Sequence, residues 1–141
     1  MSEVPRRFCL FELRLFADLE IRKETRLNLL HVLNLCSAGL FLFYGAHCLL
    51  SKRMVEEFNR YRLGQYRTLI GALEIAGALG QIGGLWFPKL ALSASFGLAL
   101  LMLCGVWARW RIKDPLIAFL PAVVLGLVNA VLVWWGWGLL K

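Results

Sequence analysis

Four apolar runs, each about as long as a bilayer is thick, occupy this chain from Leu29 to Leu140. A helix rises about 1.5 Å per residue, so about 20 such residues cross a hydrocarbon core about 30 Å thick. With 141 residues, 60% hydrophobic and only 18% charged, a water-soluble domain could not bury that much apolar surface. The sequence therefore predicts an integral membrane protein. It should be all-α, because open irregular backbone cannot face lipid. The default architecture is an up-and-down four-helix bundle with a short N-terminal interfacial helix.

The spans are expected at about 28–50, 68–87, 90–107 and 115–140. Ser51-Lys52-Arg53 closes the first, and Pro88 stops the second because proline cannot continue the hydrogen-bond ladder. The third begins at Leu90 and ends near Trp107, before Arg109, Arg111 and Lys113. Asp114-Pro115 marks the start of the fourth, since Asp caps helices well and Pro suits the first helical position. Pro121 is expected to kink it. An even number of spans puts both termini on one side. Trp86, Trp134, Trp135 and Trp137 then gather at one surface, and Trp107, Trp110, Tyr61 and Tyr66 at the other, as interfacial aromatics do. Lys and Arg divide eight to eight between the two sides, so the positive-inside rule leaves the orientation open.

Residues 1–27 form a polar segment distinct from the four-span domain, 28–141. Asp18 and Arg22 stand at i,i+4 and Glu20 and Lys23 at i,i+3, which predicts a short helix at the membrane surface. Arg6-Arg7 ahead of Phe8 to Phe16 does not make a signal peptide: Glu12 and Arg14 interrupt the run and no small-residue cleavage site follows. The formal charge of +7 is assigned to membrane lipids and not to nucleic acid, because basic residues beside spans meet lipid phosphates. Cys9, Cys36, Cys48 and Cys104 include no Cys-x-x-Cys pair, and Cys36 and Cys48 sit about 18 Å apart on one helix, beyond disulfide reach. Free thiols packed as small apolar residues are expected. No spacing encodes a metal site, and no nucleophile–base pair or phosphate-cradling loop stands out.

The second span carries the informative polar groups. Glu74 is its one acid, about 9 Å in from Thr68 by helical rise. A carboxylate there costs several kcal/mol, of order ~3, unless it is paired, protonated or hydrated. Seven residues are nearly two turns, so Arg67, Glu74 and Gln81 share one face. Ala72, Ala76, Gly80 and Gly84 form a thin row beside it, and Ala118, Ala122, Gly126 and Ala130 a similar row in the fourth span. Such rows let helices approach closely, so the second and fourth spans are expected to pack together. Asn129 and Gln81 then lie at similar depths and can hydrogen-bond. Arg109, or His47, has the depth to meet Glu74. The first span's stripe of Asn28, His31, Asn34, Ala38 and Gly45 is nearly opposite His47, so the stripe is expected to face the bundle centre.

The run Ile70-Gly-Ala-Leu-Glu74-Ile-Ala-Gly-Ala-Leu-Gly80, followed by Pro88, resembles the DoxX-like family of small four-span membrane proteins. The resemblance extends to Phe41-Leu-Phe-Tyr-Gly45 and to Asp114-Pro115-Leu116, and covers roughly residues 30 to 135. The spacing between Glu74 and Asp114 looks especially like the eukaryotic branch that contains the receptor-assembly chaperone NACHO. The resemblance implies roles as an accessory subunit of quinone-linked sulfur oxidation, in oxidative-stress complexes, or in receptor assembly. Relatives often carry a His five residues before the aspartate. This chain has Arg109, which cannot shuttle protons near neutral pH.

Two functions stay open. In the first, a non-enzymatic accessory subunit or assembly chaperone binds partner transmembrane helices or a lipid-like ligand at a groove of Glu74, Gln81, Asn129, Arg109 and Arg67. In the second, a quinone-linked oxidoreductase subunit of the DoxX type uses Glu74 to hydrogen-bond or protonate a quinone. No covalent or motif-bound cofactor is encoded; a quinone or lipid remains as ligand, and homo-oligomers are open.

Overall fold

The computed structural model describes the backbone of residues 4–139 and the side chains of residues 14–138. The expectations on Arg6, Arg7, Cys9, Glu12 and Leu140 fall outside those side chains. All regular structure among the described residues is helical: α1 (Val4–Leu50), α2 (Lys52–Arg60), a 3-10 turn (Gly64–Tyr66), α3 (Arg67–Gly83), α4 (Pro88–Arg111) and α5 (Leu116–Leu139). Among the described residues, three stretches are long and apolar enough to cross a membrane, namely Arg14–Leu50, Pro88–Arg111 and Leu116–Gly138. α3 has 17 residues and covers about 25 Å by helical rise, short of that criterion.

Three boundaries differ from the expected ones. The N-terminal segment is not a separate short helix, because α1 is helical from Val4 without a break near residue 27. The chain clusters into two compact units, Met1–Val32 and Leu33–Lys141. In the first, most described side chains are exposed, and Thr25 Oγ1 donates to the Ile21 carbonyl at 2.8 Å. α3 ends four residues before Phe87, at Gly83. Gly84, Leu85 and Trp86 turn the chain through bonds back to Gly80, Ile82 and Gly83 carbonyls at 2.9 to 3.2 Å. Pro88 then opens α4, where its missing N–H costs nothing.

The loop between the first two spans also holds an unexpected helix. In α2, Met54 and Phe58 stand one turn apart and are half-buried, while Lys52, Arg53, Glu56 and Arg60 are exposed. That is an amphipathic pattern, and nine residues of it need a surface to form against. Arg62 after α2 and Lys113 after α4 adopt left-handed backbone, with φ of 57° and 56°.

The glycine rows decide how the second unit packs. α3 turns Gly77 and Gly80 to α4, where added Cβ atoms would lie 2.6 Å from Leu98 Cδ2 and 2.9 Å from Ala94 Cβ. Gly84 is closer still, with Ala91 backbone atoms in the way. Gly126 of α5 likewise meets Met102 of α4. Both thin rows therefore serve α4, where a direct α3–α5 seam was expected. On the other side of α3, Gly45 and Gly71 let α1 approach, and a Cβ on Gly71 would sit 3.2 Å from the Gly45 carbonyl oxygen. The core of Ala38, Phe41, Ala78, Leu98, Met102 and Leu125 draws on α1, α3, α4 and α5. Leu69, Leu79, Leu103, Leu120 and Leu127 point outward, as lipid-facing side chains do.

Candidate functional site

The core separates two polar regions. On one side, Gln81 and Asn129, both fully buried, tie four helices together. Gln81 Nε2 donates to Asn129 Oδ1 at 2.6 Å and to Ser95 Oγ at 3.0 Å. Asn129 Nδ2 donates to Ser37 Oγ at 3.0 Å and to the Leu125 carbonyl at 2.8 Å. Asn34 Nδ2 donates to the Gln81 backbone carbonyl at 2.8 Å. An amide has two N–H protons, and Gln81 and Asn129 have each used both. Gln81 Oε1 alone in this network is left without a partner. The sequence expectation of a Gln81–Asn129 bond is met, and Ser37 and Ser95 are members that hydropathy alone could not single out.

On the other side of the core, about 10 Å along α3 by helical rise, lies Glu74. It is 8% exposed, and its Oε2 has no hydrogen-bond partner. Glu74 forms part of the wall of a cavity of about 370 Å³. The remaining wall is mostly apolar: Phe41, Phe43 and Tyr44 from α1, Met54 and Phe58 from α2, Leu101 and Met102 from α4, and Pro121, Ala122 and Leu125 from α5. His47, Cys48, Cys104, Tyr61 and Arg109 supply its few other polar atoms. Cavities of this size and character are what small apolar ligands occupy.

A charged cluster stands at the α2 end of the cavity. The Arg60 guanidinium pairs with Asp114, which is why that carboxylate joins α2 to the α4–α5 turn. Tyr61 Oη has one proton for two carboxylates, 2.8 Å from Glu57 Oε2 and 3.1 Å from Asp114 Oδ2. Arg60 and Arg109 each lie 5.6 Å from the centre of the Tyr61 ring. Burial, followed by the bond to Glu57, pushes the Tyr61 hydroxyl up from 10.0 to about 12. The fold holds the neutral phenol, so this contribution to stability is complete below pH 10 and is lost as pH rises through about 12. The phenolate absorbance difference between wild type and Tyr61→Phe should accordingly appear near pH 12; a difference centred at 10 would contradict the buried geometry.

The five residues expected to form one groove have three separate fates. Glu74 and Arg109 share the cavity wall but form no ion pair, because the Arg109 guanidinium packs over Tyr61. Gln81 and Asn129 belong to the network beyond the core. Arg67 is spent on α1: its Nη1 donates to the carbonyls of Cys48 at 2.5 Å and Leu49 at 2.9 Å, which have no helical partner at the helix end. Cys48 is a buried free thiol as expected, whereas Cys36 and Cys104 are exposed. Of the first-span stripe, Asn34, Ala38 and Gly45 are buried. His47 is exposed yet reaches the cavity wall from the edge of α1, so facing the stripe inward did not exclude it. No group of three or more metal-ligating side chains gathers among the described residues.

Apolar helices of bilayer length around a sealed polar network define a small integral membrane protein. The chain belongs to the DoxX-like family, whose family model matches residues 31–133. Searches of curated proteins and of solved structures returned no match.

Proposed function

We propose that this protein is non-enzymatic and holds a lipid-like amphiphile in the cavity beside Glu74, acting as an accessory subunit or assembly chaperone for another membrane protein. The observation that carries this reading is a buried carboxyl oxygen without a partner on the wall of an apolar cavity of about 370 Å³. A buried polar atom left unpaired costs about 1–3 kcal/mol, which a ligand that pairs with it would recover. The network around Gln81 uses its donors internally and serves to hold the helices, so the ligand site excludes it.

Four crossings in up-and-down order belong to this proposal. Along α1 and α4 the residue numbers rise from network to cavity, from Ser37 to His47 and from Ser95 to Arg109. Along α3 and α5 they fall, from Gln81 to Glu74 and from Asn129 to Pro121. Alternating direction is what an up-and-down bundle requires. The 3-10 turn before α3 and the turn after it would carry its short helix across the interfaces.

The test is native mass spectrometry after gentle extraction, with Gly105→Phe as the blocked form. A Cβ at Gly105 meets nothing within 4 Å, and the residue lines the cavity, so phenylalanine can enter it without displacing backbone. Wild type should retain a bound amphiphile and Gly105→Phe should lose it while keeping its helical circular dichroism spectrum. Equal retention by both would sink the cavity reading. A quinone-linked redox subunit is the second reading, favoured by the aromatic wall of Phe41, Phe43, Tyr44 and Phe58, against which a quinone ring can stack. Its redox centre would sit on another chain, and a quinone analogue that leaves the melting temperature unmoved at saturation would remove it.

A further inference from the structure

We infer that the amphiphile carries a single apolar chain and an ammonium head, and that the head docks against Glu74. This rests on the cavity being a ligand site and concerns which ligand it selects.

The Glu74 carboxyl is 8% exposed, and no described residue supplies Oε2 with a hydrogen-bond donor or a cation. Arg67, two turns earlier on α3, and Arg109 are engaged elsewhere, and His47 on the same wall makes no bond to Oε2. Arg67 donates to the last carbonyls of α1, and Arg109 lies over the Tyr61 ring at the α2 end. An acid sealed among apolar groups selects for a partner that brings positive charge or a donated proton. A carboxylate or phosphate head would instead add like charge beside it.

The wall points to the same chemistry. Phe41, Tyr44 and Phe58 line the cavity with aromatic rings, and aromatic faces attract an ammonium ion. One buried acid within an aromatic wall is a recognised way of holding an amine without a full hydration shell. The volume of about 370 Å³ lies at the low end for ligand pockets, which favours one chain over a two-tailed lipid. With the head at Glu74, the chain lies against Phe41, Leu101 and Leu125.

The test compares three probes of one chain length, dodecylammonium, dodecanol and dodecanoate, on the full chain in phosphatidylcholine nanodiscs at neutral pH. Bound fractions are read by native mass spectrometry for wild type and for Glu74→Gln. The ratio between the two proteins cancels each probe's partitioning into lipid. Wild type should bind dodecylammonium at least about tenfold more tightly than Glu74→Gln does, the scale of a hydrogen bond to a charged group. Dodecanol should differ by less than about threefold between them. Tightest wild-type binding of dodecanoate would put the head at Arg109 and overturn the inference while leaving the cavity intact. Once each probe's affinity is corrected for its partitioning into empty nanodiscs, equal affinity for dodecylammonium and dodecanol in wild type would also overturn it, and needs no variant to fold. Failure of all three probes to bind would remove the cavity reading and this inference with it.

Discussion

Adding one methyl group at Gly84 should destabilise the protein by about 3 kcal/mol, the upper part of the range for overpacking a filled site. The reason is the kind of atom in the way. A Cβ on Gly84 would lie 2.6 Å from Ala91 Cα and 2.7 Å from Ala91 N. Those are backbone atoms of the first turn of α4, and they cannot swing aside as a side chain can. At Gly71 the nearest obstacle is the Leu49 side chain at 2.9 Å, so the same change there should cost less. Gly97 provides the control, since a Cβ at that position in α4 meets nothing within 4 Å. Gly97→Ala should stay within about 0.5 kcal/mol of wild type, or gain slightly from better helix propensity. Unfolding titrations in mixed micelles would measure both. If Gly84→Ala and Gly97→Ala unfold together with wild type, the close α3–α4 turn is not as described.

Asn129→Leu should cost about 2 kcal/mol through the network beyond the core. Hydrogen bonds between membrane helices average about 0.6 kcal/mol and reach about 1.7. Asn129 makes two such bonds, to Gln81 and Ser37, and a third within α5 to the Leu125 carbonyl, and its loss leaves one Gln81 N–H without an acceptor. The double variant Gln81→Leu with Asn129→Leu should cost clearly less than the two single changes added together. Removing both partners of a buried bond leaves fewer orphaned groups than removing one. A double-mutant cycle measures this coupling, and strict additivity would mean the two amides do not depend on each other. Neither change should alter ligand retention in the Glu74 cavity, because the apolar core of Phe41, Ala78 and Leu125 intervenes.

Much of the candidate site could be read along the chain, and the failures share a cause. Glu74 and Gln81 stand seven residues apart, so their common inward face follows from helical periodicity alone. Counting residues from the span ends puts Asn129 at the depth of Gln81, and the two side chains bond at 2.6 Å. Arg67 has the same periodicity as those two, but an arginine at a helix start can turn to whatever unpaired carbonyls lie near. The C-terminal carbonyls of α1 were within its reach. Arg109 had the depth to meet Glu74, and the Tyr61 ring took it instead. Tyr61 sits there because α2 folds the loop back across the cavity end. The only sign of α2 in the sequence was the pair Met54 and Phe58 one turn apart among charges.

The sequence by itself determined that this is an all-helical membrane protein, where its apolar helices run, and which of their faces carry polar or small residues. Those properties are local: hydropathy sets the medium, and the backbone repeat sets the face. Only the tertiary structure decided that the glycine row of α3 meets α4, that Arg67 caps α1, and that Glu74 is left alone on a cavity wall. In an apolar surrounding every thin helix face is equally suited to any other, so partners are selected by how several helices fill space together. No single span contains that information.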